Sequence, residues 1–285
     1  MIAVLMTCFN RRETTLAGLR SLVAQELPVG QRLRIILVDD GSSDGTSDAV
    51  RREFPQVEII AGDGNLYWVG GTLVAWRAAR PADYYFWLND DVELRPGAIR
   101  ELFRIYGDSA DPRTIVVGAT CDPDTKKTGT GGIRRKSWYN VHFIDPNGAI
   151  QMCDAINGNI VLVPRAAEEE IGMMDERYTH IFGDGDYGMR ARKAGIPVLL
   201  APQHLGECRL NSLKDSIFDT KLPVAARWKK FFGPKGHRPP GEWWVFVRAH
   251  APRPKVLYWV VPYVVFAVEC LLGGKVRLRC SGRWR

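Results

Sequence analysis

The sequence predicts an α/β fold, a sheet with helices on both faces, followed by a basic and apolar helical tail. Three observations predict it. Short, uninterrupted apolar runs alternate with helix-period segments through the first third of the chain, as expected of strands buried on both faces. Acidic or Gly-rich strings follow several of those runs, and right-handed crossovers gather ligands at such strand ends. Charge is uneven: from Arg227 onward there are 13 Lys+Arg and 2 acids (+11), against 26 and 30 (−4) in the preceding 226 residues, for a net +7.

The elements follow in order. Ala3–Met6 reads as a first, buried strand; Met1–Met6 is too short and lacks the basic start of an export signal. Glu13–Ala24 has helical spacing through Leu16, Leu19, Leu22 and Val23. Arg34–Val38 is a strand, Asp44–Glu53 a helix capped by Ser43 or Asp44, and Val57–Ile60 a strand. A helix is expected from about Gly70-Gly71 to Ala79, a strand at Tyr84–Leu88, a helix near Pro96–Tyr106 and a strand at Ile115–Ala119. Cys121–Asn147 is polar and weakly periodic, so loops or an irregular hairpin are expected. Ile160–Val163 is a strand, Arg165–Ile171 a helix, Asp184–Ala194 a helix closed by Gly195, and Pro197–Ala201 a last short strand. With 285 residues the chain can bury a full core. A catalytic domain over 1–220 and an extension over 221–285 are expected.

The extension carries Trp228, Lys229, Lys230, Phe231, Phe232 and Lys235, then Leu257–Leu272, sixteen mostly apolar residues broken by Pro262 and Glu269. About 20 residues are needed to span a bilayer. Flanking Arg253, Lys255, Lys275, Arg277, Arg279, Arg283 and Arg285, with Tyr258, Trp259, Tyr263 and Phe266 inside, suit an interfacial segment on an anionic membrane. A helix packed on the catalytic core is the alternative. The six scattered cysteines form no Cys-x-x-Cys pair, so reduced thiols are expected rather than zinc or disulfides.

Four strings carry chemistry. Asp39 and Asp40, ahead of Gly41-Ser42-Ser43-Asp44-Gly45-Thr46, can accept hydrogen bonds from a base or a ribose. Asn89-Asp90-Asp91 ends an apolar strand, where carboxylates can hold a divalent cation and, through it, a diphosphate. Gly62–Gly71, with Asn65, Trp68 and Gly71, offers close approach and amide donors at a helix start, but lacks the ending of a Walker loop. Asp184 and Asp186 have the chemistry of a general base. Two steps on a helix turn a side chain by about 200°, so a regular helix points only one of them at the site.

Together these strings resemble family 2 glycosyltransferases of the GT-A fold, a Rossmann-like nucleotide-binding mixed sheet. Thr7-Cys8-Phe9-Asn10-Arg11 resembles the family's opening strand end, Asp39–Thr46 its nucleotide-base site, and Asn89-Asp90-Asp91 its Asp-x-Asp position. Asn157-Gly158-Asn159 resembles its acceptor-side motif, and Met174–Tyr178 with Gly183–Gly195 its catalytic-base segment. The match spans about residues 1–210, in order; Asn89 departs from it at the first acidic position. Asn-Asp-Asp-Val and Tyr-Trp-Val-Gly-Gly suggest rhamnosyltransferase-like members.

The resemblance implies inverting transfer from a nucleotide diphosphate sugar to a saccharide or lipid-linked acceptor. It implies Mg²⁺ or Mn²⁺ held by Asp91, with Asp90 second and His204 a further metal or diphosphate ligand. Asp184 is the preferred base, with Asp186 bonding an acceptor hydroxyl or capping the helix; Trp68 would stack on a sugar or base. A cytoplasmic protein on the inner membrane face is expected. Two other readings are nucleotidyl transfer, for which Thr7–Arg12 makes a poor phosphate-gripping loop, and nucleic-acid binding through the +11 tail. The apolar run Leu257–Leu272 favours a membrane over nucleic acid.

Overall fold

A computed structural model describes residues 1–210 and 214–272. The expected basic cluster Lys275, Arg277, Arg279, Arg283 and Arg285, with Cys280, lies outside the described residues. The chain opens with β1 (Ile2–Cys8), α1 (Arg12–Val23), β2 (Leu33–Asp39), α2 (Thr46–Glu53), β3 (Glu58–Ala61), α3 (Tyr67–Ala79) and β4 (Tyr84–Leu88). Then come β5 (Glu93–Leu94), α4 (Ala98–Asp108), β6 (Ile115–Cys121), β7 (Thr128–Thr130), β8 (Gly132–Arg135), β9 (Val141–Phe143), β10 (Gln151–Met152) and β11 (Ala155–Ile156). It continues with β12 (Ile160–Pro164), α5 (Arg165–Ile171), α6 (Gly183–Lys193), β13 (Val198–Glu207), α7 (Val224–Phe232), α8 (Pro240–His250) and α9 (Lys255–Leu271).

The main sheet runs β10-β13-β6-β12-β4-β1-β2-β3. β1 is parallel to β2 and β4, β2 to β3, and β13 to β6, whereas β12 is antiparallel to β4 and β6. The sheet is therefore mixed. β12 starts at the edge where β1, β2 and β4 end, which places Asn159 beside Asn89. A smaller sheet, β11-β8-β9, contains an antiparallel β8–β9 hairpin within the segment read as irregular.

Alternate side chains of each strand enter different cores, as the two-residue period requires. Ile2, Val4 and Met6 pack with Leu16, Leu19 and Leu22 of α1 and Leu102 of α4. Ala3 and Leu5 face the other layer, with Trp76 of α3, Tyr187 of α6, and Trp243 and Phe246 of α8. The last strand of the sheet ends at Glu207, but the core continues beyond it, because Trp243 and Phe246 of α8 fill that second layer.

Several boundaries differ from the sequence reading. α3 begins at Tyr67 rather than near Gly70, because the distant Asp40 carboxylate accepts from the amides of Leu66 (3.2 Å) and Tyr67 (2.9 Å). α2 begins at Thr46 after a left-handed Gly45; Asp44 still accepts from the Thr46 amide at 3.1 Å. β13 runs ten residues instead of stopping at Ala201. Pro202 has no amide to donate, and the strand crosses that point by register shifts on either side of His204. α9 is neither wholly buried nor free: Pro262, Phe266 and Glu269 are covered, while Leu257, Val264, Val268 and Leu271 are exposed. Among the described residues no helix is long and apolar enough to cross a membrane.

Candidate active site

The loops after β1 and β2 lock together at the sheet edge. Asn10, in the left-handed region at φ 51°, donates its amide to Ser42 Oγ (2.8 Å) and accepts from the Ser43 amide (2.7 Å). Asp39 accepts from the Ser42 amide (2.9 Å) and from Ser47 Oγ, and Asp40 from the amides of Gly64, Leu66 and Tyr67. Both carboxylates, read as acceptors for a base or ribose, are instead buried and bonded to protein groups that shape this rim. Phe9 remains 43% exposed beside them. Asn65 is an exposed loop residue whose amide bonds Asp63 (2.9 Å). Gly71 is glycine because a Cβ there would strike the Thr7 side chain at the end of β1. Thr7 Oγ1 is buried without a partner.

At the end of β4 the three residues divide. Asn89 accepts from Trp68 Nε1 (2.6 Å) and donates to Asn159 Oδ1 (2.8 Å). An amide both donates and accepts, so Asn89 can bridge this pair, which a carboxylate in its place, with acceptors only, could not do in the same way. Trp68 was expected to stack on a ligand; its indole instead lies against Gly158, where a Cβ would collide with the ring. Asp90 is buried, and burial pushes its carboxyl up to about 7, with Arg11 opposing and Asp91 adding to the rise. Arg11 bonds Asp90 at 3.2 Å and Asp91 at 2.9 Å. Burial works against the Arg11 charge, but the two carboxylates more than offset it and raise its pKa. The other Asp91 oxygen, Oδ1, is buried without a hydrogen-bond partner.

Asp184 and Asp186 face apart, as helix geometry requires. Asp184, half-buried in the first turn of α6, accepts from the Gly158 amide (2.9 Å), Asn157 Nδ2 (3.2 Å) and its neighbour Gly185's amide (2.7 Å). Burial raises its carboxyl to about 6, with the backbone donors holding the rise down. Asp186 turns to the opposite side, where His250 Nε2 of α8 (2.7 Å), Arg190 (2.8 Å) and the Tyr178 hydroxyl (3.4 Å) surround it. Burial works to raise Asp186, but His250 and Arg190 hold it below the usual carboxylate range. Asp186 therefore anchors α8 rather than reaching an acceptor.

His204 bonds Thr128 across its Nε2 at 2.9 Å, and among the described residues no group of three or more His, Cys, Asp or Glu side chains is arranged to hold a metal. Three neighbours of the site escaped the sequence reading. Cys208 is pushed up to about 12 by burial and then by the charge of Asp91. His180 packs edge-on to Tyr67 at 6.3 Å, and Lys235 stands over Phe9 and Tyr67. No local pattern marks any of the three, since each arrives from a distant part of the chain.

The glycosyl transferase family 2 model matches residues 3–160, more than half of the chain and every strand end described above except those of β12 and β13. The chain belongs to glycosyl transferase family 2. It is 28% identical over 209 residues to N-acetylglucosaminyl-diphospho-decaprenol L-rhamnosyltransferase of Mycobacterium tuberculosis, in strains CDC 1551 / Oshkosh and ATCC 25618 / H37Rv; the match covers 62% of this chain and 66% of that protein. A crystal structure of GalNAc-T7 with UDP, GalNAc and Mn2+ superposes with a TM-score of 0.59 at 13% identity, over 95% of this chain and 56% of that one. The family 2 chain thus has the GT-A fold of a glycosyltransferase, and spans somewhat under two thirds of the length of these relatives.

Proposed function

We propose that this glycosyltransferase moves a sugar, with inversion, from a nucleotide diphosphate donor to a saccharide carried on a lipid. The observation that carries the reading is Asp184: a carboxylate with its pKa near 6, fixed by three donors, at the mouth shared by the end of β4 and the start of β12. A carboxylate has about four lone-pair sites, so one remains for an acceptor hydroxyl. Asp184 takes that proton as the acceptor oxygen bonds to the sugar's anomeric carbon. The bond from that carbon to the diphosphate breaks, and its electron pair leaves with the diphosphate.

The residues at the end of β4 fit a metal of the carboxylate-plus-phosphate kind. Mg²⁺ is characteristically bound by one or two carboxylates, with substrate phosphates completing the shell. Asp91 offers a buried, unpartnered oxygen, and Asp90 is its second. A bound Mg²⁺ or Mn²⁺ would neutralise charge growing on the leaving group. GalNAc-T7, crystallised with UDP and Mn2+, supports that pairing. His204, held by Thr128, is not assigned to the metal. Phe9, Asn10, Thr7 and the Asp39–Ser43 loop form the nucleotide end, Asn65 and Gly71 its rim, and Asn157–Asn159 the acceptor side.

The rhamnosyltransferase relatives support a rhamnosyl donor and a lipid-linked acceptor. Residues 221–285 then serve as an extension to a catalytic unit of 1–220. α9 would lie in the interface of an anionic cytoplasmic membrane face, its exposed stripe of Leu257, Val264, Val268 and Leu271 inward. Calorimetric titration with UDP, dTDP and GDP, with and without Mn²⁺, tests the donor site. One nucleotide should bind in a metal-dependent way that Asp91→Ala abolishes; no binding by any of the three rejects the site.

A further inference from the structure

Lys235 sits at the second central position of a tight turn. The Gly236 amide donates to the Gly233 carbonyl at 2.6 Å, and Gly-Pro-Lys-Gly places Pro and Gly where a type I turn favours them. A Cβ on Gly236 would strike the carbonyl oxygens of Lys230, Phe231 and Gly233. The turn is therefore clamped onto the end of α7, which fixes the Cα of Lys235 and the direction in which its side chain leaves the backbone.

That direction is over the nucleotide end of the site. Lys235 Nζ lies 5.7 Å from the centroid of the Phe9 ring and 5.7 Å from that of Tyr67. Among the described residues it forms no ion pair, whereas Arg11 is bonded to two carboxylates. A cation–π contact at an exposed site is worth only about 0.5–1 kcal/mol. Two aromatic faces and no acid leave the ammonium open to an anionic ligand.

His180 supplies a second, independent observation. Its Nδ1 is buried without a hydrogen-bond partner. Burial, and then the charges of Lys235 and Arg11, push its pKa down to about 4, so the imidazole is neutral at pH 7. A neutral ring with a free polar atom thus stands within the field of two cations. Such a wall recognises a polyanion rather than a neutral sugar.

We infer that Lys235, with Arg11 and His180, grips the diphosphate of the donor, so that the C-terminal extension completes the active site as well as covering the core. The inference rests on the donor reading above. As the bond to the anomeric carbon breaks, the electron pair passes to the diphosphate oxygen, and the Lys235 ammonium stabilises that charge without transferring a proton. Its field adds to whatever a metal at Asp91 supplies.

The test compares nucleoside diphosphates with the matching monophosphates, by calorimetry on the full chain with Mn²⁺ present. For whichever of UDP, dTDP and GDP binds, Lys235→Gln should weaken the diphosphate about ten- to a hundredfold, the range for a charge-assisted hydrogen bond. The matching monophosphate should bind as it does to the unaltered protein, and Lys235→Arg should keep most of the diphosphate preference. Equal binding of the diphosphate by Lys235→Gln and the unaltered protein overturns the grip while leaving the donor site intact. Equal weakening of both nucleotides also overturns it, since that would be a general loss of pocket shape. If the unaltered protein binds none of the nucleotides, the donor reading falls, and the grip with it.

Discussion

Asp184→Asn is the perturbation that most directly examines the proposed chemistry. It keeps the shape of the side chain and removes the base. General-base catalysis contributes about a hundred- to ten-thousandfold, so kcat/KM should fall by that factor while donor binding by calorimetry holds. The pH profile carries a second signature. With Asp184 at about 6, the active carboxylate form is lost below that pH, so kcat/KM falls about tenfold per pH unit there and is level above. The Asn variant should lose that limb.

Stability adds a third readout for the same variant. Burial raises Asp184 from 3.8 to about 6, so between those values the folded state binds more protons than the unfolded. The stabilising contribution is full below 3.8 and is lost as pH rises through 6. Two units correspond to at most about 3 kcal/mol, less for a group that keeps some solvent contact. Denaturant titrations at pH 4 and pH 7 should show the variant losing less stability than the unaltered protein over that interval. A loss of kcat/KM under tenfold, with the limb at pH 6 unchanged, would refute Asp184 as the base.

Gly158→Ala pushes a methyl into the Trp68 indole. Overpacking of this kind costs about 1–3 kcal/mol, and thermal unfolding should show it, together with reduced activity because the Gly158 amide also holds Asp184. Val264→Asp with Val268→Asp alters side chains that are 55% and 36% exposed. Thermal unfolding should stay nearly unchanged while co-sedimentation with anionic liposomes is lost; unchanged sedimentation would exclude this face from the membrane contact.

Much of the fold was legible because its signals are local. The run Ile35–Val38 is short, rich in β-branched residues and apolar at every position, as a strand covered on both faces is. Tyr84–Leu88 and Arg165–Ile171 fall where their patterns place them. The start of α3 was misplaced because its cap is a carboxylate from another strand end, an interaction that no window of neighbouring residues contains. β13 runs past the expected end at Ala201 because a bulged register against β6 carries it across Pro202, and that pairing is not local in the sequence.

The candidate site divides along the same line. The sequence by itself determined which residue types gather at the ends of β1, β2 and β4, and that Asp184 and Asp186 must face apart, because strand period and helix pitch are fixed by the backbone. Only the tertiary structure decided which of the two meets the Asn157-Gly158 loop, since that depends on α8 bringing His250 to Asp186 from 64 residues away. It also turned Asn89 from a ligand candidate into a bridge between Trp68 and Asn159, and brought Lys235 over Phe9. Burial, pairing and field at a side chain come from whatever packs against it, and in this fold those partners arrive from distant parts of the chain.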